Sequence, residues 1–551
     1  MGHTHVPGAT SHRTPTTDVS HVHFRPLPAT IVTPIDVDRL EGCLRYFPDR
    51  QHVEYVLGGL RWGFDLGFRG QVVETRPRNA LVTLECQEGV TEAIQKELDR
   101  GHTSGPFDHP PFQVTHCSPL GAVLKPDGSV RLILDLSSPR VGGVSINEGI
   151  SRDEFACTYS HFDQAVDIVR SLGRGCYMAK LDIKHAFRLC PVKQGQWNLL
   201  CYCWGGKFYV DTRLPFGGRS SPYIFNSLAQ LLCWIFSYVG GVALIIHYLD
   251  DFFCANAPEE ECASDRDRVS DLCGFLGVPL APEKIIGPAQ ILTFLGIQID
   301  SLNMSVELPA DKLDKIRSKV KNCLGRRKLK KEELLSLIGS LNFASTVVRP
   351  GRTFLRRLID LSTTVKSNFH YVSLNVEARK DLLWWDEFLT KWNGVAIIPS
   401  PMRSSPDMDL YTDASDLGLG CVFGGRWVYA EWPEEWRGVS INAREAFAIW
   451  VAVRLWGGEW RDGQIVIHTN SKVNTDVFKS GTCRDKDVMR VIRPLFMFGA
   501  GLNLSITLLH IPGVLNVKAD LLSRLKVREF KRQFVEMDPL AMGMPSDVWN
   551  I

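Results

Sequence analysis

The sequence predicts a multidomain protein of the α/β class. Its 551 residues, at roughly 100–200 per domain, make about three to five folding units. Stretches with apolar residues at alternate positions, the period of a strand, are interspersed with stretches spaced i, i+3, i+4, i+7, the period of a helix. Residues 395–408 carry three prolines and read as a linker between domains.

With 44% hydrophobic and 23% charged residues, the chain has enough apolar material for large cores. A net charge of +2 means that a nucleic-acid partner has to be argued from local patches. The fifteen cysteines are odd in number, scattered and without a CxxC pair, and Cys201 and Cys203 are too close for the usual zinc spacing. Free thiols in a reducing compartment are expected. Met1 to Ser20 is polar, with no signal-peptide core. The most apolar run, Leu231 to Ile246, is interrupted by Gly240-Gly241 and predicts a buried helix, a turn and a core strand, not a membrane span. The expectation is a protein of the cytoplasm or nucleus, not secreted and with no membrane partner.

Along the chain, residues 1–30 are rich in Thr, His, Ser and Pro and are expected to be disordered. A first folded region is expected over 31–300. Within it, Val90 to Asp99 predicts an amphipathic helix. Val130, Leu132, Leu134 and Leu136 alternate with Arg131, Ile133 and Asp135 and predict a strand, with Pro126-Asp127-Gly128 as the turn before it. A helical region follows over 301–394, where Leu334, Leu337, Ile338 and Leu341 share one helix face. After the 395–408 linker, a compact α/β domain is expected over 409–526. Its strands fall at 410–412, 419–423, 427–431, 465–469 and 504–510, with helices at 443–456, between the last two strands, and near 518–525. Residues 527–551 are expected to be a tail.

Acidic positions carry the chemistry. Asp182 ends an apolar stretch in Leu181-Asp-Ile-Lys-His-Ala-Phe187. Asp250 and Asp251 sit between Val242-Ala-Leu-Ile-Ile246 and Phe252-Phe253, which reads as a β-hairpin with two carboxylates at its tip. An isolated Asp-Asp is usually a turn dipeptide. Here the apolar flanks imply partial burial, which is costly for adjacent like charges unless a cation neutralises them. Mg²⁺, with Mn²⁺ as the alternative, takes one or two carboxylates plus phosphate oxygens. Two such ions suit nucleotidyl transfer to a 3′-hydroxyl.

These residues carry a resemblance. Tyr248-Leu-Asp-Asp251 resembles the Tyr-X-Asp-Asp box of reverse transcriptases, and Leu181–Phe187 their first carboxylate motif. Leu214-Pro-Phe-Gly-Gly-Arg-Ser-Ser-Pro-Tyr-Ile-Phe-Asn226 is similar to their template-and-nucleotide motif, and Phe294-Leu-Gly-Ile297 to their primer-grip strand. The resemblance implies a polymerase right hand of fingers, palm and thumb, with Asp182, Asp250 and Asp251 as metal ligands. It puts Lys125 and Arg131 on the incoming triphosphate, Phe216 and Gly217 beside the nucleotide, and Phe187 at the gate that excludes a ribose 2′-hydroxyl. Lys284 matches the lysine that protonates the leaving pyrophosphate. Lys312 to Lys331 carries ten Lys or Arg and one acid, Asp314, and Arg349, Arg352, Arg356 and Arg357 follow; a thumb gripping a duplex has this composition.

The last domain resembles the ribonuclease H domains of retroelements. Asp413, Glu445 and Asp520 fall at metal-binding positions, and His510 at the mobile histidine. One position departs: His468-Thr-Asn-Ser471 places Asn470 where the family has Asp. A neutral amide at a two-metal site weakens metal affinity, so the fold is expected and nuclease activity only weakly. Asp135-Leu-Ser-Ser-Pro-Arg140, Val144–Ile150, Leu334–Ser345 and Val348–Asp360 resemble the DIRS-type retrotransposons. The partners implied are an RNA template, a DNA or RNA primer, an RNA–DNA hybrid and dNTPs. A catalytically decayed nucleic-acid-binding protein is the rival that Asn470 motivates. An RNA-templated RNA polymerase is disfavoured by Phe187.

Overall fold

The computed structural model describes residues 22–80, 83, 85–125, 128–139, 144–391, 395–398, 402–404, 408–461 and 463–551. The fold is mixed α/β, in two units. The first runs to residue 165 and resumes over 177–289; the second takes 166–176 and 290–551. Among the described residues no helix is long and apolar enough to cross a membrane. All fifteen cysteines are free thiols.

Among its described residues the first unit holds nine strands: β1 (Thr103–Phe107), β2 (Leu120–Leu124), β3 (Val130–Leu134), β4 (Tyr177–Asp182), β5 (Cys201–Trp204), β6 (Lys207–Asp211), β7 (Ile245–Tyr248), β8 (Asp251–Asn256) and β9 (Ile286–Ala289). An antiparallel sheet runs β7-β8-β4-β9, and a second runs β1-β6-β5. Against β7 lies the helix Ser221–Tyr238. Its Ile224, Phe225, Leu228, Leu231, Leu232, Ile235 and Phe236 are all fully buried. Their spacing is one apolar helix face, and Pro222 sits in the first turn, where its missing N–H costs nothing. The expected helix and turn over 231–246 are therefore present; the expected core strand begins only at Ile245 and, His247 apart, is half-buried. The helix expected from Val90 spans Gln87–Asp99.

β2 and β3 form a hairpin with Leu124 opposite Val130. Its turn closes through Lys125 N–H to Ser129 O (2.8 Å) and Gly128 N–H to Lys125 O (3.0 Å). Pro126 and Asp127 of the expected turn lie outside the described residues, as do residues 1–21 of the expected disordered segment. Residues 22–30 differ from that expectation. Arg25 exchanges both backbone hydrogen bonds with Gly105 (2.6 and 2.8 Å), and Phe24 packs edge-on against Phe107 at 5.7 Å. Pairing with the edge of β1 orders a segment whose own composition could not.

From residue 290 the second unit continues with β10 (Ile291–Phe294), β11 (Ile297–Asp300) and β12 (Ser305–Glu307). The break between units thus falls at 289/290, short of the expected residue 300. Helices Ala310–Leu324, Lys331–Ala344, Arg356–Ser362 and Val376–Lys391 pack around Leu313, Val320, Leu337, Leu341, Leu382 and Trp385, with a two-stranded sheet of β13 (Lys328–Lys330) and β14 (Tyr371–Ser373). The expected linker contains two strands: β15 (Val395–Ile397) pairs with β12, and β16 (Met402–Ser404) pairs in parallel with β20 (Gln464–Thr469). Residues 399–401 and 405–407 of that linker lie outside the described residues.

β17 (Leu410–Ala414), β18 (Gly418–Phe423) and β19 (Arg426–Glu431) form an antiparallel meander; β20 runs parallel to β17, and β21 (Ser505–His510) parallel to β20. Helix Ile441–Trp456 packs on β17 and β18. Two helices, Lys472–Ser480 and Lys486–Gly501, stand where one was expected; Gly481 in the left-handed conformation (φ +74°) ends the first. The expected tail is ordered. It holds helix Val527–Gln533, and Val548 is fully buried beside Trp450, whose Nε1 donates to Val548 O at 3.1 Å.

Candidate active site

The β7–β8 hairpin turns through Leu249, a non-glycine residue at φ +52°, and Asp250. Tyr248 faces Asp251 across the turn. On its other edge β8 pairs with β4 in a register that sets Asp182 directly opposite Asp251. Ile183 N–H donates to Asp250 O (3.0 Å), and Ala281 N–H to Asp182 O (2.9 Å). Three carboxylates distant in sequence are thereby fixed at one end of one sheet, as expected.

Their electrostatics match a cluster short of positive charge. Burial, then the charges of Asp250 and Asp182, pushes Asp251 up to about 6. Burial also raises Asp250, with Asp182 adding repulsion and Lys284 and Arg131 opposing it. Asp182 is 8% exposed. Its two carboxylate oxygens accept from Lys284 Nζ at 2.9 and 3.0 Å, and that hydrogen bond raises the lysine's own pKa. Among the described residues no three acidic, histidine or cysteine side chains converge on a metal position. The donor set is nonetheless all carboxylate oxygen, which fits a hard divalent cation.

The residues expected beside the nucleotide lie in the same unit. Arg131, exposed on β3, stacks its guanidinium over the Phe216 ring at 5.3 Å. Lys125 follows β2 at the hairpin turn. The Phe187 ring lies 5.3 Å from that of Phe216 and 5.8 Å from that of Phe225. Gly217 has φ +108°, and a Cβ there would stand 2.3 Å from Leu134 O. Its freedom lets the loop dock on β3, where Leu134 N–H donates to Phe216 O at 3.0 Å.

Two supports were not read from the sequence. Asn147, 5% exposed, donates from Nδ2 to Gly217 O (2.9 Å) and accepts from Arg219 N–H (2.8 Å). Arg188, beside Phe187, is buried between Asp211 (2.6 Å) and Glu97 (3.0 Å). Only a buried amide in the Val144–Ile150 run and an arginine among apolar residues hinted at them.

In the last domain, Asp413 on β17 is 2% exposed. Its Oδ1 accepts from Asn470 Nδ2 (3.1 Å) and its Oδ2 from Ser523 Oγ (2.6 Å). Burial, with repulsion from Asp520, pushes Asp413 up to about 6. Glu445, on helix Ile441–Trp456, is pushed up to about 9 by burial and then by Asp413. Asp520 accepts from Arg524 Nε at 2.8 Å. His510 ends β21, exposed, opposite Thr469. Ser523 was not anticipated.

Not all of the basic run faces outward. Lys312, Arg317 and Lys331 donate to the carbonyls of Gly296, Leu389 and Val365, and Arg326 pairs with Glu333. Lys319, Lys321, Arg327 and Lys328 are exposed.

Residues 123–299 match the family described as reverse transcriptase (RNA-dependent DNA polymerase), and the match encloses the whole carboxylate cluster. This part of the chain is similar to the reverse transcriptase family. The chain is 25% identical over 232 residues (42% of its length) to the Pro-Pol polyprotein of Simian foamy virus type 1, and 25% identical over 278 residues (50%) to that of Feline foamy virus. It is 28% identical over 130 residues (24%) to the retrovirus-related Pol polyprotein from transposon 412 of Drosophila melanogaster. It spans 18% and 21% of the two foamy-virus polyproteins and 10% of the transposon one. Among solved structures, the foamy viral protease-reverse transcriptase dRH in complex with double-stranded DNA aligns over 89% of this chain and 84% of its own, at TM-score 0.49 and 17% identity. The foamy viral protease-reverse transcriptase in complex with RNA/DNA hybrid aligns over 88% and 64%, at TM-score 0.47 and 17% identity.

Proposed function

We propose that the chain is an RNA-directed DNA polymerase of a retroelement, adding dNTPs to a DNA or RNA primer on an RNA template. The observation that carries this reading is the β4–β8 register, which sets Asp182 against Asp251 beside Asp250 inside the segment that matches the reverse transcriptase family. Asp182, Asp250 and Asp251 would hold Mg²⁺, or Mn²⁺ in its place. When bound, such ions lower the pKa of the primer 3′-hydroxyl and stabilise the leaving pyrophosphate.

The chain's own groups do the rest. Arg131 offers a planar fork to the triphosphate and Lys125 a point charge. The stack on Phe216 holds the Arg131 guanidinium toward the nucleotide. Phe187, braced by Phe216 and Phe225, presents a ring that a ribose 2′-hydroxyl would strike. Lys284 is held protonated by Asp182 and, once displaced from it, can give its proton to pyrophosphate. Lys319, Lys321, Arg327 and Lys328 would meet duplex phosphates. The last domain is read as ribonuclease-H-like, binding an RNA–DNA hybrid, with cleavage weakened by Asn470. The fingers and thumb motifs support a DIRS-type origin, and the chain would act in the cytoplasm or nucleus.

The test is extension of a primed RNA template by purified protein with dNTPs and Mg²⁺. Extension that disappears in the Asp250→Asn, Asp251→Asn variant supports the reading. No extension from folded protein would favour a second reading, a decayed nucleic-acid-binding protein, for which Asn470 is the motivating observation.

A further inference from the structure

The ribonuclease-H-like reading implies a pair of divalent ions beside Asp413, and the residues present do not fit them. Both oxygens of this buried carboxylate already accept hydrogen bonds, from Asn470 Nδ2 at 3.1 Å and Ser523 Oγ at 2.6 Å. The two donors are neutral, and they satisfy the carboxylate without a cation. Asp520 is engaged separately, by Arg524 at 2.8 Å. Asn470 Oδ1 is buried with no hydrogen-bond partner, so the amide's orientation is set by what its NH₂ group gains from Asp413. An aspartate at position 470 would bring a second anion to the same oxygen, a repulsion that at neutral pH and above a bound cation would relieve. Asparagine removes the demand.

We infer that Asp413, Asn470 and Ser523 form a metal-independent polar lock, which ties β17, the end of β20 and helix Val517–Ser523 together in place of a two-metal centre. The inference rests on the ribonuclease-H-like reading only for the expectation that ions belong there. The lock itself stands on the hydrogen bonds.

The experiment is calorimetric titration of Mn²⁺ into the full chain carrying Asp182→Asn, Asp250→Asn and Asp251→Asn, so that the polymerase carboxylates do not bind. The expected result is no saturable uptake with Asn470 in place, and saturable uptake once Asn470→Asp is added. Saturable uptake by the Asn470 chain that disappears on Asp413→Asn would overturn the inference. Absence of uptake in both chains would overturn the role given to Asn470. Thermal unfolding in EDTA is the second readout. Asn470→Asp should lower the melting temperature by about 2–4 °C, with Mn²⁺ restoring it; an unchanged melting temperature would count against a lock. Primer extension by the unsubstituted chain, measured alongside, bears on the polymerase reading alone and leaves the metal result standing.

Discussion

Replacing Asp251 with asparagine should stabilise the metal-free protein while removing its activity. Folding raises Asp251 from 3.8 to about 6, through burial and the adjacent Asp250 and Asp182 charges. Below pH 3.8 the carboxyl is protonated whether folded or unfolded, and its burial costs little. Between the two values the unfolded chain releases a proton that the folded chain keeps, so stability falls as pH rises. Above about pH 6 the whole penalty stands, at most about 3 kcal/mol from a rise of about two units. A neutral asparagine side chain in its place would carry no such penalty. In EDTA at pH 8 the variant should therefore melt about 5 °C higher than the native chain, and at pH 5 by about half of that. Thermal unfolding at the two pH values measures it. In Mg²⁺ the same variant should lose more than about 100-fold in extension rate, since even groups behind a metal ligand are worth 10–100-fold. A variant that melts no higher at pH 8, or lower at both pH values, would refute the picture of carboxylates held together against their repulsion.

Other outcomes follow from the same geometry. At limiting Mg²⁺, single-nucleotide incorporation should fall as the pH drops below about 6, as Asp251 takes up the proton that competes with a cation, and excess Mg²⁺ should move that fall to lower pH; a fall whose position does not depend on Mg²⁺ would contradict this. Gly217→Ala should cost about 2–5 kcal/mol, combining a positive φ with a contact on Leu134 O, and should weaken dNTP binding; urea unfolding and the KM for dNTP report the two effects. Phe187→Ala should reduce discrimination against rNTPs by about tenfold or more, read as the ratio of kcat/KM values, with a smaller loss of stability because the ring is only half-buried.

The chemistry was more legible in the sequence than the boundaries were. The carboxylates stood out because Asp182, Asp250 and Asp251 interrupt apolar strands, where a charge needs a reason. The expected strands of the last domain were each found within two residues of their positions, because short apolar runs bounded by turn residues mark strands directly. What stayed hidden depends on partners far along the chain. Residues 22–30 are ordered by Gly105 and Phe107, β15 by β12, and β16 by β20, and no local pattern announces such pairing. Val548 is buried in a tail whose composition resembles a loop. Asn147, Arg188 and Ser523 hold neighbouring segments through side-chain hydrogen bonds and ion pairs to residues distant in sequence, which periodicity does not encode.

The claim on which the rest depends is that Asp182 and Asp251 serve one centre. A double-mutant cycle on single-turnover incorporation tests it, using Asp182→Asn, Asp251→Asn and the two together. If the two carboxylates share ions, the double variant will be no slower than the slower single variant. Rate losses that multiply would mean that the two residues act independently and would contradict the account.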